Sequence, residues 1–474
     1  MPHPPTTRYA PSPTGRMHLG NARTALFSFL LARGRGGRFV LRIEDTDAER
    51  GSEAHLDSQL EDLRWLGLDW EGGPGVEDAF GPYRQSERGA LYEDYYARLA
   101  AAGSTYPCYC STTELEVSRR TQLAAGLPPR YTGTCRDLDA TQRQRLEAAG
   151  RRPTLRFRVP AGSRVKFDDL VRGPQEFSTD DIGDFVVRRA DGVPVFFFCN
   201  ALDDSLMGIT DVLRGEDHLT NTPRQLLLLE ALGLATPAYG HLPMLLGADG
   251  APLSKRRGSV SVGDLREAGF LPGAVTNYLL RLGHAGAPDD WVEPAEQPAV
   301  FALDKIGRAP AHFDEVQLQH WQREAVKRLT PEALQDWLAS VLPAGLTDPQ
   351  RSLLGATVSH NVVFPADALP WVDVLFGDLQ PPDGDLQRVL DQAGPGFFAA
   401  TLEALAVAGV DLKALGREIK ARTGRKGKDL YMPLRIALTG RPDGPELGPL
   451  LAALPEATIR SRLAALAGST QEHH

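Results

Sequence analysis

The sequence predicts a multidomain protein: an α/β parallel-sheet domain carrying an α+β insertion, followed by an all-α C-terminal region. Three observations lead there. Near the start, short apolar strand candidates alternate with helical patterns, which is how parallel sheets are built. Between about Gly103 and Val193 this gives way to cysteines, loops and short alternating strands. From Asp314 onward the periodicity is helical only. A length of 474 residues suits several domains. The expected divisions are 1–102 and 194–257 for the two halves of the sheet domain, 103–193 for the insertion, 258–315 for a connecting helical domain and 316–474 for the helical end.

Thr7–Ala10 reads as a strand that ends in the turn Pro11-Ser12-Pro13-Thr14-Gly15. Gly20–Arg33 reads as a helix, with Leu26 and Leu30 on its apolar face. Phe39–Ile43 is a buried-strand candidate that runs into Glu44-Asp45-Thr46-Asp47, and Leu56–Leu68 is again helical. Parallel sheets collect ligands at the carboxyl ends of their strands, where Arg8 and Glu44 would lie. In the insertion, Thr154–Val159 alternates as a strand. Val195–Phe198 resumes the buried-strand pattern, with Cys199 an apolar residue beside Asn200 in that strand. Asn221–Leu234 is a helix opened by Thr222 and Pro223. The helical end contains Pro331–Leu342, Gln387–Gln392, Phe397–Ala408, Leu412–Thr423 and Leu447–Leu454.

Composition sets outer limits. Hydrophobic content of 42% and charged content of 24% are those of a globular chain. No apolar run approaches the ~20 residues of a membrane helix, and no apolar segment follows a basic start. A cytoplasmic protein without a membrane partner is expected. Four cysteines in so long a chain suit a reducing compartment and a metal site rather than a disulfide scaffold. A net charge of −9 argues against indiscriminate coating of nucleic acid but leaves room for a local basic track.

Several clusters carry chemistry. His18, two residues before Gly20 at a helix entrance, is placed to donate to a phosphate, helped by the helix dipole. Gly20 would let a base approach the backbone. Lys255 and Arg256, in Leu253-Ser254-Lys255-Arg256-Arg257-Gly258, are cations able to follow charge on departing phosphates. Arg8 and Arg214 are natural readers of a carboxylate, or partners of Asp203 or Asp211. Glu44, Asp45 and Asp47 bind an amino group or ribose, or cap the next helix. Cys108, Cys110 and Cys135 have spacing suited to tetrahedral Zn²⁺, or form a small reduced core. Lys413, Arg417, Lys420, Arg422, Arg425, Lys426 and Lys428 form a basic run in an acidic protein. That is a solvated face, or a phosphate-backbone track.

His18-Leu19-Gly20-Asn21 and Leu253–Gly258, in this order and so far apart, resemble the two ATP-binding signatures of class I aminoacyl-tRNA synthetases. Ala10–Gly15 is similar to the glutamyl branch, bacterial type. The resemblance implies a HUP/Rossmann-like nucleotide-binding catalytic domain and a glutamate–tRNA ligase activity. ATP and L-glutamate would give glutamyl-adenylate, and tRNA would then take the glutamyl group on its 3′-terminal ribose. ATP would lie on His18, Gly20, Asn21, Asp217, Leu253, Ser254 and Lys255, with Mg²⁺ on its phosphates. His18, Lys255 and Arg256 would stabilise charge. Glutamate would lie on Arg8, Ala10, Ser12, Glu44, Asn200 and Arg214.

Asp47 and Arg50, in the first half of the catalytic domain, and Lys420, Arg425, Lys426 and Lys428, in an anticodon-binding region, would meet tRNA. The insertion would hold the acceptor stem. Tyr131 or Asp137 would complete a structural zinc site. The family implies a monomer that needs tRNA before activation. Two departures stand out: Phe196 replaces a substrate-contacting Tyr, and Pro252 replaces the first lysine of the second signature. A shorter relative that glutamylates a modified tRNA base, a glutaminyl-tRNA synthetase and a non-catalytic tRNA-binding protein are the alternatives. Ser359–Val363 contains no arginine to read an anticodon base, so both glutamate tRNA and glutamine tRNA remain candidate substrates.

Overall fold

The structure, a computed structural model, describes residues 3–46, 51–247, 249–251, 260–382 and 384–468. It forms two compact units: Met1–Glu267 with Pro272–Leu318, and Ala268–Leu271 with Gln319–His474.

The first unit opens with β1 (Thr6–Tyr9), α1 (Leu19–Gly34), β2 (Arg38–Leu41), α2 (Glu53–Trp65) and α3 (Gly89–Ala101). The insertion contributes β3 (Thr105–Cys108), α4 (Thr112–Ala124), α5 (Ala140–Ala148), β4 (Thr154–Phe157), β5 (Arg164–Asp169), β6 (Gly173–Ser178), the single turn α6 (Thr179–Ile182) and β7 (Phe185–Arg188). The sheet domain resumes with α7 (Phe196–Leu206), β8 (Asp211–Gly215), α8 (Thr222–Leu232) and β9 (Ala238–Leu242).

The order β2-β1-β8-β9 is parallel throughout, so all four carboxyl ends face one way. Its strands are short and mostly buried, and α1 is buried on most of its circumference, as a helix covered on both faces requires. The sheet covers one face; α10 (Pro272–Arg281) and α11 (Gln297–Val300), which follow β10 (Leu245–Leu246) and α9 (Val262–Glu267), meet the other. β10 pairs in parallel with β11 (Ala311–His312).

The insertion is α+β, as its mixed pattern predicts: a three-stranded antiparallel sheet β3-β4-β7 and the hairpin β5-β6. The hairpin turn docks on the sheet domain, where the Leu170 amide donates to the Tyr239 carbonyl at 2.8 Å.

One expectation fails. Val195–Phe198 starts α7 rather than a strand, and Cys199 lies on that helix. The aromatic run favours a strand only locally. Asn200, Asp203 and Asp204 continue it with helical spacing, and their buried polar groups find partners only on a helix.

The remaining helices are α12 (Glu315–Val326), α13 (Pro331–Ala339), α14 (Asp348–Val358), α15 (Leu369–Phe376), α16 (Gly384–Ala393), α17 (Pro395–Ala408), α18 (Leu412–Thr423), α19 (Lys428–Thr439), α20 (Leu447–Ala453) and α21 (Glu456–Ala467). In the second unit they close around one apolar core that includes Leu354, Trp371, Phe398, Ile419, Leu434 and Leu463.

Candidate active site

The carboxyl ends of the sheet border a cavity of about 480 Å³. Its walls include Arg8, Ala10, Ser12, His18, Gly20, Asn21, Glu44, Phe196, Asn200, Arg214 and Asp217. The described residues predicted to hold ATP or glutamate are thus gathered around one space.

His18 is the N-cap of α1: its Nδ1 accepts from the Asn21 amide at 3.3 Å. Acceptance at Nδ1 leaves the proton of a neutral ring on Nε2, which makes that nitrogen a donor. Gly20 has a second use beyond close approach of a base. A Cβ there would stand 3.1 Å from the His18 ring. The proline turn before His18 is pinned from α2, where Gln59 Nε2 donates to the Gly15 carbonyl at 2.6 Å.

Leu253, Ser254, Lys255 and Arg256 lie outside the described residues, as do Asp47 and Arg50. The described flanks of the first group meet the cavity region. Met244 and Leu245 line it, Ser261 bridges His18, and the Val262 amide donates to the Met17 carbonyl at 2.9 Å.

The two predicted carboxylate readers differ. Arg8 is engaged by Asp204, at 3.1 Å and 3.3 Å, and not by Asp203 or Asp211. Asp203 instead accepts from Gln85, Arg88 and Tyr92, and Asp211 from Thr210. Arg42 reaches the same Asp204 at 2.7 Å and Glu44 at 3.1 Å. Burial would raise the Asp204 carboxyl, but Arg42 and Arg8 outweigh it and hold it below the usual carboxylate range. Burial wins at Glu44, whose carboxyl is raised despite Arg42 and a 2.6 Å hydrogen bond from Asn200 Nδ2.

Arg214 has only neutral hydrogen-bond partners among the described residues: His241 Nε2 at 3.1 Å, Thr222 Oγ1 at 2.7 Å, Gln225 Oε1 at 2.6 Å and Asn200 Oδ1 at 3.5 Å. Burial pushes its guanidinium down to about 10. Arg8 and Arg42 are balanced by Asp204 and Glu44; Arg214 is the surplus positive charge. Such a group is costly to bury alone and favours an anionic ligand.

Phe196 packs against His218, ring centroids 5.0 Å apart, and burial pushes that imidazole down to about 4. Asp45 does not cap α2, whose N-cap is Ser52; it ties two loops together, accepting from the Ser86 amide at 2.8 Å and from Arg84 at 3.0 Å.

In the insertion, the Cys108, Cys110 and Cys135 sulfurs lie within 4.8 Å of one another. The Tyr131 hydroxyl is 3.4 Å from Cys108 and 3.7 Å from Cys110. Asp137 is not in this group: it pairs with Arg158 at 3.2 Å and is 86% exposed. Three thiols around one point fit the soft donors of a tetrahedral zinc site, and the Tyr131 hydroxyl is the oxygen nearest a fourth position. Burial raises the Cys108 thiol, but hydrogen bonds from Tyr131 and Arg156 outweigh it and bring it below the ordinary value. Burial pushes Cys110 up to about 12.

In the second unit, Lys413, Arg417 and Lys420 recur along the exposed face of α18, and Lys426 and Lys428 follow, also exposed. Arg425 is engaged within the unit. It donates to the Ala393 carbonyl at 2.9 Å and covers the Phe397 ring at 5.0 Å.

Sequence reasoning missed Arg42, Asp169, Asp204, Thr222, Gln225 and His241 as parts of this site. Two left a signal. Arg42 is a charge inside an apolar strand run, and His241 sits in the buried run Tyr239–Leu242; buried polar groups there need partners.

A parallel sheet split by an insertion, with its cavity at the strand ends beside a helix entrance, is the architecture of a nucleotide-binding α/β enzyme. Residues 6–320 match the family described as tRNA synthetases class I (E and Q), catalytic domain, and residues 396–467 match the anticodon binding domain. The chain belongs to this E and Q family of class I tRNA synthetases. It is 56% identical over 460 residues to glutamate–tRNA ligase 2 of Alkalilimnicola ehrlichii, covering 96% of each chain. It is 54% identical to glutamate–tRNA ligase 2 of Nitrosococcus oceani, covering 96% of this chain and 97% of that one. The fold is similar to the crystal structure of a glutamate tRNA ligase from Elizabethkingia meningosepticum in complex with its amino acid. The TM-score is 0.89 at 26% identity, covering 99% of this chain and 100% of that one. No helix of the described residues is long and apolar enough to cross a membrane.

Proposed function

We propose that the chain is a cytoplasmic glutamate–tRNA ligase. A carboxylate oxygen of L-glutamate attacks the α-phosphorus of ATP, pyrophosphate leaves, and glutamyl-adenylate forms. The 3′-terminal ribose hydroxyl of tRNA then attacks the acyl carbon, and AMP leaves. The attacking carboxylate is already ionised near neutral pH. The protein's work is therefore alignment and charge neutralisation.

The observation that carries this reading is the surplus guanidinium of Arg214 in the cavity that also holds His18. Arg214 takes the substrate's side-chain carboxylate. Glutamine would set an amide NH₂ against the same donor, which disfavours it. Glu44, paired with Asn200, takes the α-amino group; Ala10, Ser12 and Arg8 complete the pocket. His18 donates to the phosphates near Gly20, Asn21 and Asp217, and Lys255 and Arg256 follow the charge that develops there. Mg²⁺, when bound with ATP, supplies further neutralisation. Cys108, Cys110, Cys135 and Tyr131 would hold a structural zinc in the insertion. Lys420, Lys426 and Lys428 meet the tRNA backbone, with Asp47 and Arg50 near its acceptor end. The anticodon-domain match over residues 396–467 favours ligation to the tRNA terminus over transfer to a modified base by a shorter enzyme.

Charging assays with labelled glutamate and separate glutamate and glutamine tRNA transcripts test the proposal. Glutamate attached through an alkali-labile ester to the glutamate tRNA, alone or with the glutamine tRNA, is the expected result. Absence of glutamate-dependent ATP–pyrophosphate exchange with tRNA present would overturn it.

A further inference from the structure

A buried chain of hydrogen bonds runs from the insertion to Arg214. The Arg214 Nε–H donates to His241 Nε2 at 3.1 Å, and the Thr222 hydroxyl meets the same nitrogen at 3.0 Å. On the other side of the ring, His241 Nδ1 meets Asp169 Oδ2. Asp169 Oδ1 accepts from the amides of Val171 at 2.9 Å, Arg172 at 2.8 Å and His241 at 3.2 Å. Both oxygens therefore act as acceptors, so the ring proton belongs on Nδ1. That leaves a lone pair on Nε2, directed at the arginine. A proton on Nε2 would set donor against donor.

We infer that Asp169 and His241 are positioning residues: through one neutral imidazole they orient Arg214 as the uncompensated cation for the substrate's side-chain carboxylate. The inference rests on the reading of Arg214 as the carboxylate reader. A carboxylate placed directly on Arg214, as Asp204 is on Arg8, would cancel the charge the substrate needs. An imidazole fixes the guanidinium plane without doing so. The Nε and Nη2 groups are occupied by His241, Thr222 and Gln225, while Nη1 has, among the described residues, only a 3.5 Å approach to Asn200. Nη1 is the edge offered to the ligand. Burial pulls the His241 imidazole below its ordinary value, in keeping with a neutral ring. Asp169 ends β5 in the insertion, so specificity for the amino acid depends on a residue outside the sheet domain.

Asp169→Asn is the sharpest variant. Three backbone donors hold its oxygen in place at the Oδ1 position, so the new NH₂ faces His241, drives the ring proton to Nε2 and opposes Arg214. The KM for glutamate should rise roughly ten- to hundredfold, the range of a charge-assisted hydrogen bond. The KM for ATP and for tRNA should stay within about twofold, and the preference for glutamate over glutamine should narrow. His241→Gln should act in the same direction, and Asp169→Asn added to it should change little more. Equal losses in both backgrounds, or losses spread over all three substrates, would mean that Asp169 only caps its hairpin, and would overturn the inference.

Arg214→Ala is the control for the underlying reading. If it leaves the glutamate KM unchanged, both fall. If it raises that KM while the Asp169 and His241 variants do not, the pocket reading stands and the relay alone is overturned. Nitrogen NMR of histidine-labelled wild-type enzyme avoids any folding defect. A His241 ring protonated at Nδ1 only is expected; a proton on Nε2 contradicts the inference.

Discussion

His18 is oriented by its own helix, since its ring caps the Asn21 amide while Gly20 leaves room beneath it. Gly20→Ala should force the ring aside by a few tenths of an ångström and slow adenylate formation by about tenfold, with little change in glutamate KM. Alanine in a first helical turn should leave thermal stability equal or slightly higher. Pre-steady-state adenylate formation and a melting curve check both halves; a normal rate would remove the steric role of Gly20. The arginines differ at this scale too. Arg8 and Arg214 look alike as letters, but only the fold shows that Asp204 engages one while the other keeps neutral partners. Phe196 packs on a neutral His218.

At the scale of elements, legibility follows pattern strength. The strands β1 and β2 and the helix α1 are readable because short buried runs alternate with a helical face, whereas β8 and β9 are not, their runs being broken by Asp211, Arg214 and His241. The helix α7 reads as a strand because its first turn is aromatic, and its helical character shows only in the later spacing of Asn200, Asp203 and Asp204. Helix α19 escapes a sequence reading because Pro433 lies inside it.

A pH prediction belongs to the packing of α2 against α9. Asp62 on α2 is buried, neither oxygen has a hydrogen-bond partner, and Arg266 of α9 is 3.7 Å away. Burial raises its carboxyl from 3.8 to about 6. An acid raised on folding favours the native state while protonated. That contribution is present below pH 3.8 and is lost as pH rises through about 6. Asp62→Asn should therefore be more stable than wild type above pH 7, by about 2 kcal/mol, and the gain should vanish toward pH 4. Urea unfolding at several pH values checks this; a gain independent of pH would contradict it.

The insertion gives a separate prediction. Enzyme purified without chelator should carry about one zinc by elemental analysis, and Cys135→Ser should lose it. Equal zinc in the variant would exclude Cys135 as a ligand.

Across the whole chain, function is legible because two short signatures carry it, whereas the polar network behind Arg214 is not, being assembled from residues far apart in sequence. The net charge of −9 coexists with an exposed basic face on α18. Affinity for tRNA should therefore fall as salt rises. Removing one cation of the basic run, by Lys420→Ala or Lys426→Ala, should reduce the slope of log K against log salt by roughly 0.7–0.9. An unchanged slope would place the tRNA elsewhere. The most direct measurement of all is a crystal structure with a non-hydrolysable glutamyl-adenylate analogue. The side-chain carboxylate is expected on the Arg214 guanidinium and the phosphate-mimicking group beside His18; a carboxylate directed away from Arg214, or an adenylate seated outside this cavity, would contradict the assignment.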